Sequence, residues 1–191
     1  MSILVLTSDT LIGTPATGNL EYNGQFFGTD SNASRAQMQR ITLGTAVAST
    51  SGTSIDFTGL PAWCKRITVM FAGVSTSGTS FVITQLGTGG TPTTSGYGGG
   101  AFQTNVYTNV TNGLALSGNN VATDVRNGAI TITNITGNTW VSTATNFNNN
   151  ATGGSGAGSI VLAGTLNMLR ITTVNGTDTF DAGTVNILYE G

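Results

Sequence analysis

Histidine is absent from this chain of 191 residues, cysteine occurs once, and charged residues make up only 7% of it. An average soluble domain is about 25% charged. Without histidine, no side chain has an ordinary pKa near neutral pH, so general acid–base catalysis lacks its usual group. A zinc site and a histidine-activated nucleophile lack their ligands or base for the same reason. We therefore expect a structural or binding protein, not an enzyme, with no cofactor.

Basic residues are few and scattered, and the net charge is −2. Nucleic-acid binding needs clustered Lys and Arg to neutralise phosphates, and only Lys65 and Arg66 are adjacent. Neighbouring residues of a strand face opposite ways, so even this pair makes no basic patch. We expect no nucleic-acid binding. Low net charge also favours association, which predicts a homo-oligomer.

Long hydrophobic runs are missing as well. The apolar run at residues 3–6 is shorter than the core of a signal peptide and has no basic lead. No stretch approaches the roughly 18 apolar residues of a membrane span. We expect synthesis in the cytoplasm without a signal peptide, and no membrane insertion.

Both a functional and a structural interpretation are open for the one cysteine and for a group of acidic and amide residues near residue 178. Cys64 lies beside apolar positions, which favours a small buried hydrophobe over a reactive thiol. Asp178 and Asp181, with Asn175, are either oxygen ligands of a cation or caps of a turn. We favour the turn, and we assign no metal site.

Alternation of apolar and polar residues with a period of two recurs along the chain and predicts β-strands. It is clearest where Ile67, Val69 and Phe71 alternate with other residues. Further alternating runs lie at 41–48, 54–57, 81–86, 130–133, 139–143, 159–166, 169–172 and 185–190. Gly and Asn turn signals separate these runs. The pattern predicts an all-β fold, an antiparallel β-sandwich of jelly-roll-like type.

The first forty residues differ from the rest, since they hold Pro15, a hairpin signal and a polar stretch from Thr29 to Arg40, with few residues that we expect in a core. Asn23-Gly24 between two short apolar runs predicts a β-hairpin. We expect residues 1–38 to form an extended N-terminal arm with this hairpin, and residues 39–191 to form the β-sandwich domain.

Two glycine-rich stretches interrupt the alternation, GTGGTPTTSGYGGG at 87–100 and NNNATGGSGAG at 148–158. We expect flexible surface loops there. The alternative is a pair of contact loops, because an aromatic anchor among small residues gives contact area at low entropic cost. The anchors would be Tyr97, Phe102 and Tyr107, with Phe147 beside the second stretch. A saccharide is a partner that such loops suit.

Three segments together resemble bacteriophage tail-fibre-type virion proteins. They are TPATGNLEYNGQFFGTDSNASR at 14–35, FTGLPAWCKRITVMFAGVSTSGTS at 57–80 and LRITTVNGTDTFDAGTVNILYEG at 169–191. In phage fibre proteins, a similar hairpin sits before the terminal domain, and similar endings close tail proteins. The attachment domain and repetitive shaft of long fibres have no counterpart here.

The resemblance implies a β-rich virion subunit, a tail fibre or appendage that is often trimeric. Its N-terminal arm would bind other virion proteins, in the tail or capsid. Its loops, with Tyr97, Phe102, Tyr107 and Phe147, would contact a host-surface glycan or other receptor. The alternative is a capsid decoration protein that stabilises the head. A polysaccharide depolymerase is a third hypothesis.

Overall fold

Seventeen β-strands account for the regular structure in a computed structural model that describes residues 10–11, 13–23, 25–118 and 120–191. The apolar run at 3–6 and Gly24 of the predicted hairpin lie outside the described residues. The chain divides into two compact units, Met1–Arg40 and Ile41–Gly191. Within the described residues, no helix is long and apolar enough to cross a membrane.

The first unit contains a three-stranded antiparallel sheet in the order β1-β2-β3. Its strands are β1 (Leu20–Tyr22), β2 (Phe26–Thr29) and β3 (Arg35–Gln37). β1 and β2 pair in antiparallel register, with Tyr22 opposite Phe26. The guanidinium of Arg35 donates two hydrogen bonds to the buried carboxylate of Glu21, at 2.8 and 3.0 Å. This paired geometry joins β3 to β1 across the sheet.

The second unit contains fourteen strands. They are β4 (Ile41–Leu43), β5 (Val47–Ala48), β6 (Ser54–Thr58), β7 (Arg66–Thr76), β8 (Val82–Thr88), β9 (Thr91–Pro92), β10 (Gly98–Gln103), β11 (Val106–Asn109), β12 (Leu114–Ala115), β13 (Arg126–Thr136), β14 (Thr139–Asn148), β15 (Gly153–Val161), β16 (Met168–Thr173) and β17 (Phe180–Glu190).

These strands form two antiparallel sheets. The larger, nine-stranded sheet has the order β11-β10-β15-β14-β13-β7-β17-β4, with β5 also paired to β17. The smaller, five-stranded sheet has the order β12-β8-β16-β6, with β9 paired to β8. The predicted all-β fold of antiparallel, sandwich-like sheets is confirmed.

A single large hydrophobic cluster joins the inner faces of the two sheets. Val69 and Ile130 contribute from the larger sheet, and Leu86, Leu169 and Ile171 from the smaller one, all fully buried. Each such side chain stabilises the fold by about 1.5–3 kcal/mol. Strand alternation places the intervening residues, many of them Thr and Ser, on the outer face of the larger sheet.

The two glycine-rich stretches are not simply loops, and that expectation is wrong for much of their length. β10 begins at Gly98 and β15 at Gly153, and both are paired along the larger sheet. The glycines permit close approach of backbone: a β-carbon on Gly156 would overlap the carbonyl oxygen of Ala115. The missing side chains let the segment that contains β12 pack directly against β15.

Candidate ligand-binding surface

The β10–β11 hairpin places two aromatic rings together at one edge of the larger sheet. Phe102 and Tyr107 are cross-strand partners, and their ring centroids lie 5.2 Å apart. The two-residue turn between these strands is Thr104-Asn105, with φ values of 48° and 64°. Two successive residues of positive φ are the signature of a type I′ hairpin turn, whose twist matches that of its strands. The turn therefore fixes the pairing of the two rings.

The β14–β15 hairpin supplies the third aromatic ring. Phe147 is 57% exposed, and it alternates with the buried Asn146 and Asn148. The amide oxygen of Asn148 accepts hydrogen bonds from the backbone N–H groups of Asn150 and Thr152, and from the Thr152 hydroxyl at 2.7 Å. These bonds close the turn on itself, so the end of β14 that carries Phe147 is held in place.

Strand register connects the two hairpins into one surface. Phe102 of β10 lies opposite Ser155 of β15, which lies opposite Thr145 of β14. Ser155 and Thr145 are exposed, as are Phe102 at 37% and Tyr107 at 80%. Tyr107, Phe102, Ser155 and Thr145 therefore form one cross-strand row, and Phe147 lies two residues farther along β14.

Two adjoining grooves cross this surface. The first, here called the Tyr107 groove, has a volume of about 490 Å³. It is lined by residues 99–102, 107–109 and 155–157. The second, the Phe147 groove, has a volume of about 460 Å³. It is lined by Phe102, residues 127–128, 145–147 and 153–155.

The two grooves share Phe102 and Ser155. Most of the other lining residues are small, being glycine, alanine, serine or threonine. Aromatic walls with a few polar groups and volumes within about 300–1,000 Å³ are typical of small-ligand sites. The available groups are ring faces, hydroxyls and side-chain amides, which suit stacking and hydrogen bonding.

None of the residues that line either groove carries a charge. A charged pair lies near the Phe147 groove but inside the protein: the Arg126 side chain is fully buried and donates to Asp124 at 2.6 Å. Burial lowers the pKa of Arg126, an effect that the Asp124 carboxylate partly offsets. The other oxygen of Asp124 accepts from the side-chain amide of Asn150 at 2.6 Å. The pair thus anchors the β14–β15 turn and leaves the grooves uncharged.

Asn127 reaches the rim of the Phe147 groove through a β-bulge. The pairing of β13 with β7 shifts register between Arg126 and Gly128, and the backbone N–H of Gly73 donates to the Asn127 side-chain oxygen at 2.9 Å. Bulges commonly redirect a side chain in this way. The contact residues predicted from sequence did not include Asn127, Thr145 or Ser155. Only the register of four strands shows that these residues adjoin the aromatic rings.

Tyr97 is not part of this surface, and its prediction as a contact residue is wrong. The side chain is only 4% exposed and belongs to the hydrophobic core. Its hydroxyl oxygen accepts the backbone N–H of Leu86 at 2.7 Å. Burial raises the pKa of Tyr97 to about 12. Phe102, Tyr107 and Phe147 are exposed and come together, whereas Tyr97 stabilises the interior.

The turn after β16 uses its acidic and amide residues for its own hydrogen bonds. The side-chain amide of Asn175 donates to Asp178 at 2.7 Å, while its oxygen accepts the backbone N–H of Thr177. The second oxygen of Asp178 accepts the backbone N–H of Ser80. Asn175 and Asp178 thus form the predicted turn cap. Asp181 lies in β17 instead, so its prediction as part of this cap is wrong. Within the described part of the chain, no cluster of three or more His, Cys, Asp or Glu residues is placed to hold a metal ion.

Cys64 is buried, as expected, and 3% exposed. Burial raises the pKa of its thiol to about 11, although backbone hydrogen bonds with Glu190 and Arg66 and the charge of Lys65 oppose the shift.

Comparison of the chain with protein-family models, curated proteins and solved structures gave no match.

Proposed function

We propose that this chain is a structural subunit of a bacteriophage particle, of the tail-fibre or appendage type, that contacts the host surface. The N-terminal unit attaches to other virion proteins, and the β-sandwich carries the contact surface. The observation that carries the proposal is the uncharged surface on which Phe102, Tyr107 and Phe147 are exposed together. Together with the fibre-like sequence segments, this surface supports a binding role outside the protein's own core.

Exposed aromatic side chains support this role because they cost free energy when left in water. A fully buried Phe is more stable by about 1.5–3 kcal/mol than an exposed one. Phe102, Tyr107 and Phe147 are clustered and rimmed by hydroxyl and amide groups, which is the usual arrangement of an interaction site.

Homo-oligomerisation, with a trimer as the expected form, belongs to the same proposal. The net charge of −2 gives little mutual repulsion between copies. Edge strand β4 adds an apolar surface, since Ile41 and Leu43 are each 62% exposed. An edge of this kind favours pairing with a second chain.

Immunogold electron microscopy of phage particles that carry the chain tests the proposal. We expect gold on the tail or on a tail appendage. Gold distributed over the head would overturn this function in favour of the capsid decoration alternative. Purified particles with no gold, under conditions that label the isolated protein, would contradict both roles.

A further inference from the structure

We propose that the Tyr107 and Phe147 grooves form a two-part binding site for an uncharged oligosaccharide. This inference rests on the proposed function and names the class of ligand that the contact surface recognises. Four observations support it: the aromatic walls, the polar groups between them, the absence of charge and the size of the grooves.

The aromatic walls suit sugar rings. One face of a pyranose ring presents C–H groups, which pack against the negative face of an aromatic ring. Phe102 stands between the grooves, with Tyr107 on one side at a centroid distance of 5.2 Å. Phe147 lies two strands away across Ser155, on the order of 10 Å by strand spacing. Each groove is therefore bounded by an aromatic ring, and Phe102 is common to both.

The polar groups match the hydroxyl groups at the edge of a sugar ring. Ser155 and Thr145 present hydroxyls, which both donate and accept hydrogen bonds. Asn109 lines the Tyr107 groove and Asn127 the Phe147 groove, and both are exposed amide residues. Every ring bound there can thus exchange hydrogen bonds with water for bonds with the protein.

The charge of the site favours a neutral ligand. Sialic acid, a uronate or a phosphate-bearing sugar would lose hydration without gaining a cationic partner, because no lining residue is basic. The nearest arginine, Arg126, is fully buried and paired with Asp124. A protein partner fits the grooves less well, since a stable protein interface buries about 800 Å² on each side, whereas each groove accommodates a ligand of a few rings.

Binding of the purified full-length protein to immobilised trisaccharides tests the proposal. The panel comprises neutral trisaccharides of glucose, galactose, mannose, rhamnose and N-acetylglucosamine, with sialyllactose and trigalacturonate as anionic probes. We expect saturable binding of at least one neutral probe, unchanged between low and high salt. Absence of binding to every neutral probe would overturn the proposal, as would binding confined to the anionic probes.

Variants locate the site. Phe102→Ala removes the wall common to both grooves and should weaken binding about tenfold or more. We expect a smaller loss of affinity for Tyr107→Ala and for Phe147→Ala, since each removes the wall of one groove only. Phe102→Trp keeps an aromatic wall and should retain binding. Phe26→Ala is the matched control, because Phe26 is an exposed ring of the first unit at 43%. Equal affinity of wild type and Phe102→Ala would overturn the assignment.

Ser155→Leu gives a second route that leaves the aromatic rings unchanged. Ser155 is exposed and lines both grooves, so the larger side chain should obstruct them without disturbing the core. Retained affinity in this variant would contradict the site. A protein that lies on the tail but binds no neutral sugar leaves the proposed function intact and rejects this inference alone. A protein that binds a neutral sugar through this site but lies over the head supports this inference and rejects the tail-fibre function.

Discussion

The hydroxyl oxygen of Tyr97 accepts the backbone N–H of Leu86 at 2.7 Å, inside the core of the sandwich. Tyr97→Phe would keep the ring and leave this buried N–H without its acceptor. An unsatisfied buried donor costs about 1–3 kcal/mol. We therefore expect Tyr97→Phe to lower the free energy of unfolding by that amount, as measured by urea denaturation.

Tyr107→Phe is the matched control for Tyr97→Phe, since it removes the same hydroxyl from a side chain that is 80% exposed. We expect it to change stability by less than about 0.5 kcal/mol. Equal effects of the two substitutions would show that Tyr97 is not held in the core as described.

Gly156 tests the close approach of β15 to the segment around Ala115. A β-carbon at Gly156 would overlap the Ala115 carbonyl, whereas one at Gly153 of the same strand meets its nearest neighbour at 3.5 Å. Gly156→Ala should destabilise the protein by about 1–3 kcal/mol through backbone displacement, with Gly153→Ala near neutral. The measurement is the thermal midpoint of both variants, and a harmless Gly156→Ala would contradict the packing.

Ionisation of the buried Cys64 thiol should lower the free energy of unfolding at alkaline pH. Its thiol pKa is about 11 in the folded protein, against about 9.0 in an exposed thiol. The folded chain therefore keeps the proton that the unfolded chain releases, so the stabilising contribution is present below pH 9 and is lost as the pH rises through 11. We expect wild type to lose roughly 2 kcal/mol more than Cys64→Ala between pH 8 and 11.

Urea denaturation under reducing conditions at the two pH values measures this difference. Other groups titrate equally in both proteins, so the comparison isolates Cys64. Parallel pH profiles of wild type and Cys64→Ala would contradict the buried thiol.

The apolar edge of β4 predicts how copies associate. Leu43→Lys places a charge on an edge strand, a substitution that opposes pairing, and should shift the sedimentation mass toward the monomer. Ile135→Lys is the control, because Ile135 is similarly exposed at 60% and lies on β13, which is three strands away from β4 in the sheet. A monomeric wild type at micromolar concentration would reject the oligomer, and an unchanged mass for Leu43→Lys would reject this edge.

The sequence predicted the strands whose side chains carry a clear signal. In β7, apolar residues alternate with other residues at Ile67, Val69 and Phe71, and these three side chains lie in the hydrophobic core of the sandwich. β10 and the glycine-rich residues 153–158 of β15 were not predicted, because their glycines offer almost no side chains to alternate. Their strand conformation depends on pairing with neighbours and on close backbone contacts such as Gly156 with Ala115, which only the three-dimensional fold specifies.

The candidate site was predicted in its residue types but not in its arrangement. Phe102, Tyr107 and Phe147 were selected as aromatic residues near glycine-rich segments, and so was Tyr97, which is buried. Sequence position does not distinguish an aromatic ring that faces inward from one that faces outward where glycines remove the periodic pattern. The role of Ser155 depends on the register of β15 with β10, which no local signal indicates.

The most direct measurement of the central claim is competition for host adsorption. Purified wild-type protein, added in excess to host cells, should reduce the adsorption of phage particles that carry this chain. A double variant, Phe102→Ala with Phe147→Ala, should fold but leave adsorption unchanged. Equal inhibition by wild type and the double variant, or none by wild type, would contradict host contact through this surface.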